Sequence, residues 1–166
     1  MADELNDMPA LRAVLEEYGR AVADEYIANL KRDGRPASGE LIQSITTRVS
    51  VNGKEWEVQM SLADYWKYIE YGTKGWYTGN TSRKFPPVSA LLKWIQVKPG
   101  FPTPATLPEQ KRLAFLIGRK IRDFGTQGRA DLTEAKMSVT ERFRERIAEA
   151  LGHDMTDYIR KVIIAE

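Results

Sequence analysis

Apolar residues near the start of the chain recur every three or four positions, the period of one face of an α-helix. They predict an amphipathic helix over residues 8–33, with Pro9 in its first turn and Gly34 as its stop. The apolar face consists of Met8, Leu11, Leu15, Tyr18, Val22, Tyr26 and Leu30. A single helical turn capped by Ser38 is expected to follow.

Between residues 45 and 62 the pattern changes to strict alternation, which predicts two β-strands joined as a hairpin. Asn52-Gly53 lies between the alternating runs, and this pair is preferred in two-residue hairpin turns. A turn at Asn52-Gly53 fixes the cross-strand partners. We therefore predict the pairs Val51 with Lys54, Val49 with Trp56, Thr47 with Val58, Ile45 with Met60 and Arg48 with Glu57.

The rest of the chain alternates between polar or proline-rich loops and helical patterns. We predict mobile loops at about 72–86 and 98–108, and helices at about 87–97, 108–124 and 138–164. The last helix is a candidate semi-independent element, with a kink or break at Gly152. In the helix predicted at about 108–124, the residues expected to be buried are Leu113, Leu116, Ile117, Ile121 and Phe124. In the helix predicted at about 138–164, they are Phe143, Ile147, Leu151, Met155, Tyr158, Val162 and Ile163.

Composition narrows the class of protein. A chain of 166 residues is long enough for one domain with a sizeable core, and we predict a single domain over residues 1–166. The absence of cysteine excludes disulfides and thiolate chemistry, and no apolar run approaches the ~18 residues of a membrane span. The N-terminus lacks the apolar core of a signal peptide. A net charge of +2 gives no general argument for nucleic-acid binding.

Motifs for catalysis are missing from the sequence. The single histidine, His153, has no serine or cysteine partner motif and is predicted to lie on the surface. There is no glycine-rich phosphate loop and no metal-ligand spacing. We therefore predict that the protein is not an enzyme and that it holds no cofactor or metal.

The segment from Asp64 to Gly75 is crowded with aromatic residues and runs into a Gly-Thr turn. Tyrosine and tryptophan combine an apolar ring with a polar group, and they are enriched where a protein meets another molecule. The alternative is a short amphipathic connector that covers one edge of the core. The candidates for a subunit interface are Tyr65, Trp66, Tyr68, Glu70, Tyr71, Gly72, Thr73, Trp76, Tyr77, Arg83 and Phe85.

A basic patch is the other candidate site. Its members are Arg112, Arg119, Lys120, Arg122 and Arg129. Charges on the exposed side of a helix are normally solvated, so an ordinary polar face is the simpler interpretation. The alternative is a nucleic-acid-binding module in which Trp66, Trp76 and Tyr77 stack on bases. A small hydrolase centred on Glu70 is a third hypothesis.

The order of these features resembles a known family. The motifs are Ser38-Gly39-Glu40-Leu41-Ile42-Gln43-Ser44-Ile45, the hairpin, Tyr65 to Thr73, Phe85-Pro86-Pro87, and Leu113 to Ile121 followed by Phe124-Gly125-Thr126. Together, over roughly residues 5–150, they resemble the minor tail-component or tail-completion (head–tail joining) proteins of long-tailed bacteriophages and prophages. Family members often carry an aromatic-proline segment after the second Gly-Thr, whereas this chain has Gln127 to Leu132.

The resemblance implies an α+β fold in which a small antiparallel sheet packs against a long N-terminal helix. It also implies a structural protein of the virion tail or neck, assembled in the host cytoplasm. Such proteins form a ring, often hexameric, that completes the head-proximal end of the tail tube and docks it to the head connector. The expected partners are therefore other copies of this chain, tail-tube proteins and head-connector proteins. Neither a membrane nor nucleic acid is expected as a partner, apart from DNA passing through the lumen.

Overall fold

A computed structural model describes residues 8–32, 39–52, 55–79 and 84–164. They form helices and two separate two-stranded antiparallel sheets, which confirms the predicted α+β class. The elements are α1 (Pro9–Arg32), α2 (Glu40–Ser44), β1 (Thr46–Asn52), β2 (Glu55–Ser61), α3 (Trp66–Glu70), β3 (Gly72–Lys74), a 3₁₀ turn (Trp76–Thr78), α4 (Val88–Val97), α5 (Leu107–Phe124), β4 (Gly125–Gln127) and α6 (Asp131–Ile164).

The chain divides into two compact units. The first comprises residues 1–29, 45–62 and 132–166, and the second comprises residues 30–44 and 63–131. The predicted stop at Gly34 and the predicted cap at Ser38 lie outside the described residues. A single-domain organisation and the mobility of the loops stay predictions.

In the first unit, α1 and α6 run antiparallel, with Asp154 of α6 at the N-terminus of α1. The Asp154 carboxylate accepts hydrogen bonds from the backbone N–H groups of Ala10, at 3.2 Å, and Leu11, at 2.8 Å. These donors have no partner within their own helix, and a negative charge is favourable at a helix N-terminus. A side chain 143 residues away in sequence thus holds the start of α1.

Charged pairs continue the contact between α1 and α6. The Arg146 guanidinium donates two hydrogen bonds to the Glu17 carboxylate, one of them 2.9 Å long, and thereby lowers the pKa of that carboxyl. Further along, Arg142 donates to Glu25 at 3.1 Å. Because these side chains are largely exposed, the pairs define the alignment of the helices more than they stabilise it.

The predicted hairpin is confirmed, but the predicted register is wrong. β1 and β2 pair Asn52 with Glu55, Val51 with Trp56, Val49 with Val58, Thr47 with Met60, Arg48 with Gln59 and Ser50 with Glu57. Each β1 residue thus pairs two positions later in β2 than predicted, and residues 53 and 54 lie outside the described residues. This register places Val51 opposite Trp56 instead of opposite Lys54. Since side chains alternate with a period of two, the apolar face is the same in both registers.

The last helix is longer than predicted, and it buries a different face. α6 is continuous through Gly152 and begins at Asp131. Its buried apolar residues are Leu132, Ala135, Val139, Phe143 and Ala150. Of the predicted set, Phe143 is buried and Ile147 and Tyr158 are half-buried, whereas Leu151, Met155, Val162 and Ile163 are exposed. The packed face includes Asp154 and small alanines. The prediction differed because it was based on the spacing of large apolar residues.

In the second unit, α4 and α5 form where they were predicted, but the packed face of α5 again follows small residues. Ala114 and Gly118 are buried. Of the residues predicted to be buried, Leu116 and Phe124 are exposed, and the other three are half-buried: Leu113, Ile117 and Ile121. A Cβ atom at Gly118 would overlap the ring of Phe85. The absence of a side chain at Gly118 therefore allows this ring to pack directly on the helix backbone.

Replacing Asp154 with alanine removes the carboxylate that holds the N-terminus of α1. We expect Asp154→Ala to lower the free energy of unfolding by about 2 kcal/mol, because one buried and one partly buried N–H group lose a charged acceptor. Urea unfolding of the full chain, followed by circular dichroism, measures this change. The control is Asp157→Ala, which removes a more exposed carboxylate from the same helix and should cost less than about 0.5 kcal/mol. Equal losses for the two variants would contradict the assigned role of Asp154.

Candidate functional site

The second unit is organised around two copies of one five-residue pattern. Tyr71-Gly72-Thr73-Lys74-Gly75 and Phe124-Gly125-Thr126-Gln127-Gly128 both read aromatic-Gly-Thr-x-Gly. Their central residues are strands β3 and β4, which pair antiparallel with Thr73 opposite Thr126. We refer to residues 72–75 and 125–128 as the glycine-threonine ribbon.

The two threonines form a reciprocal set of hydrogen bonds at the centre of the ribbon. The backbone N–H of Thr73 donates to the hydroxyl of Thr126, and the N–H of Thr126 donates to the hydroxyl of Thr73, both at 3.1 Å. The hydroxyl oxygens are themselves 3.0 Å apart. Each half of the ribbon therefore makes the same contacts on the other, and the two halves are related by a local pseudo-two-fold axis.

The glycines repeat this reciprocity. Gly72 and Gly125 have φ angles of +68° and +78°, which side-chain-bearing residues rarely adopt. A Cβ atom on Gly72 would overlap the carbonyl oxygen of Thr126, and one on Gly125 would overlap that of Thr73. The second glycine of each copy, at position 75 or 128, would likewise collide with the backbone beside the opposite strand. All four positions thus require glycine because two backbones pass in direct contact.

Backbone hydrogen bonds tie the ends of the ribbon to the elements beside it. The carbonyl oxygen of Glu70, the last residue of α3, accepts hydrogen bonds from the N–H groups of Arg129 and Ala130, each at 3.1 Å. At the other end, the N–H of Gly75 donates to the hydroxyl of Thr78 at 2.7 Å, which closes the 3₁₀ turn. The ribbon is therefore connected to ordered structure on both sides.

Aromatic rings stand next to both halves of the ribbon. The ring of Tyr71 lies 6.0 Å from that of Trp66, and the ring of Phe124 lies 5.5 Å from that of Tyr77. The exposed fractions are 63% for Tyr68, 69% for Tyr71, 71% for Tyr77 and 59% for Phe124. We refer to these four residues as the aromatic surface. Exposed apolar groups gathered on an ordered support are typical of a protein–protein contact site.

Most of the predicted interface residues belong to this part of the second unit, but their environments differ. Tyr65 and Trp76 are also exposed, and burial of part of its side chain raises the pKa of the Tyr65 hydroxyl. Glu70 is 2% exposed. Phe85 stacks on Phe115 with a ring distance of 5.5 Å. Arg83 lies outside the described residues.

The five residues of the predicted basic patch lie in different environments. Arg112, Arg119 and Lys120 are exposed on α5. Arg122 instead donates to Asp123 at 2.8 Å, and this hydrogen bond lowers the pKa of the Asp123 carboxyl. Arg129 is exposed but follows β4 and does not belong to the helix. Three members of the predicted patch are thus exposed cations on α5.

Strands β3 and β4 and the exposed position of Phe124 were not predicted from the sequence. Residues 72–86 were predicted to be a loop, yet this segment opens with β3 and the 3₁₀ turn. Strands of three residues are too short to show an alternating pattern. The signal that could have found them is the recurrence of aromatic-Gly-Thr-x-Gly 53 residues apart, the separation of the paired threonines.

No protein family model, curated protein or solved structure matches this chain. Among the described residues, no helix combines the length and apolar content that crossing a bilayer demands. The same residues contain no cluster of three or more histidine, aspartate or glutamate side chains that could hold a metal ion.

Alanine at Gly72 or Gly125 should disrupt the ribbon. Each substitution combines an unfavourable positive φ with a collision against the opposite strand, so we expect a loss of at least about 2 kcal/mol in unfolding free energy. Gly100→Ala is the matched control, because Gly100 has the same φ of +68° as Gly72 but open space around it. It should cost only about 1 kcal/mol. Urea unfolding distinguishes these outcomes, and a similar loss for all three variants would contradict the packing argument.

Proposed function

We propose that this chain is a non-enzymatic structural protein of a bacteriophage tail or neck. In this role it completes the head-proximal end of the tail tube and joins the tube to the head connector. Copies of the chain form a ring, which we expect to be hexameric, in the assembled virion. The proposal combines the resemblance in motif order with the surface that those motifs build.

The aromatic surface carries the proposal. The motif from Tyr68 to Thr73, which the resemblance rests on, contributes two of its four rings and the first two residues of the ribbon that supports them. Large rings on a rigid base lose little conformational entropy on binding, and aromatic residues supply much of the energy at protein interfaces. A subunit that must bind neighbours on two sides needs such a surface.

The position of Glu70 favours a structural role over a hydrolytic one. A general acid or base must reach the substrate, yet the Glu70 side chain is buried and its carbonyl oxygen supports the chain after β4. This arrangement supports a structural role for Glu70.

Deletion of the gene from its phage or prophage tests the proposal. We expect filled heads to accumulate beside unjoined or overlong tails in negative-stain electron micrographs of the lysate. Complementation with the parent gene should restore infectious particles. Normal infectious virions from the deletion strain would refute the structural role.

Complementation with point variants tests the aromatic surface itself. Tyr71→Ala and Phe124→Ala should reduce plaque numbers sharply, because truncating an aromatic residue central to an interface typically costs about 2 kcal/mol or more. Met137→Ala removes a comparably exposed side chain from α6 and serves as the control. Thermal unfolding of the purified variants verifies that they fold. Plaque numbers equal to those of Met137→Ala would show that these rings do not contact a partner.

A further inference from the structure

The exposed face of α5 combines positive charge with large apolar side chains. Arg112, Phe115, Leu116, Arg119 and Lys120 follow one another at helical spacing, so they share one side of the helix. Phe115 is 53% exposed and Leu116 is 45% exposed. None of the three cations forms an ion pair with another described residue. These five residues, the cationic face of α5, therefore present exposed charge and apolar area, although Phe115 also stacks on Phe85 and the charge of Arg119 also acts on the Asp123 carboxyl.

A complementary face runs along α6. Its residues are spaced four and three apart, which is the repeat with which two helices pack along a common seam. The members of this acidic seam are Glu141, Glu145, Ala148, Gly152, Met155, Ile159 and Val162. All seven are exposed, and a Cβ atom at Gly152 would meet nothing within 4 Å.

The seam has the chemistry that the cationic face of α5 requires. Two carboxylates stand at one end, two small exposed residues follow, and three large apolar side chains come after them. Glu141 forms an ion pair with Arg144 at 3.2 Å, but both side chains are exposed, and pairs of this kind contribute little energy. Both carboxylates are therefore available to cations from another molecule.

We propose that the cationic face of α5 in one copy of this chain binds the acidic seam of α6 in a second copy. The choice of a second copy as the partner rests on the self-assembly in the proposed function. A contact between two different surfaces is heterologous, and heterologous contacts generate a closed ring when the rotation between copies is suitable. In this contact an apolar side chain of α5 packs over the small residues Ala148 and Gly152, and the carboxylates pair with Arg119 and Lys120.

A charge swap tests this contact in solution. One variant carries Arg119→Glu with Lys120→Glu, and the other carries Glu141→Lys with Glu145→Lys. These substitutions exchange residues of similar helix propensity, so both variants should fold. Sedimentation velocity of the full chain measures self-association up to about 1 mM.

We expect each variant alone to show a dissociation constant for self-association at least about tenfold weaker than that of the parent, because like charges then face each other. An equimolar mixture of the two variants should recover association, since each reversed surface meets a reversed partner. The controls produce the same charge changes on other helix surfaces, with Arg20→Glu and Lys93→Glu for one variant, and Glu16→Lys and Asp24→Lys for the other. These control variants should associate like the parent.

Three results would overturn the inference. The first is a parent chain that remains monomeric over the whole concentration range. The second is a mixture of the swapped variants that does not recover association. The third is binding of a labelled single-stranded DNA that falls steeply with salt and is lost in the variant with the reversed α5, which would assign that face to nucleic acid. Since none of these measurements involves a virion, they can fail while the deletion phenotype holds, and the reverse is equally possible.

Discussion

The close contact between two backbones in the glycine-threonine ribbon is the constraint on which the second unit depends. Gly72 and Gly125 each place a Cα atom where a side chain would overlap the opposite carbonyl group. Each threonine hydroxyl then accepts a hydrogen bond from the other strand. A two-stranded ribbon of this length is marginal by itself. The reciprocal packing, together with the contacts of α3 and the 3₁₀ turn, explains how three-residue strands remain ordered.

The ribbon also explains why so many aromatic rings are exposed without being disordered. Tyr71 and Phe124 directly precede Gly72 and Gly125. The backbone conformation at the two glycines therefore also fixes the positions of the Cα atoms that carry these aromatic side chains. Trp66 and Tyr77 then contact them from the neighbouring helical turns. The same residues thus create the local fold and the surface through which we propose that the protein binds its neighbours.

Sequence patterns predicted the long elements well and the short or small-residue features poorly. The periods of α1, α4 and α5 and the alternation of the hairpin identify these elements, because large apolar residues recur along them. The packed faces of α5 and α6 were predicted only in part, because buried positions such as Ala114, Gly118 and Ala135 are small residues that leave a weak hydrophobic signal. The predicted hairpin register was wrong because both registers place the same side chains on the same face, so the alternating pattern does not distinguish them. The ribbon depends on a contact between residues 53 apart, which local patterns do not reveal.

A cryo-electron microscopy reconstruction of the virion neck would test the central claim most directly. The account predicts a closed ring of this chain between the tail tube and the head connector, with Tyr71 and Phe124 packed against a neighbouring subunit. A neck without this chain would contradict the account. An oligomeric ring in which all four side chains of the aromatic surface face solvent would also contradict it.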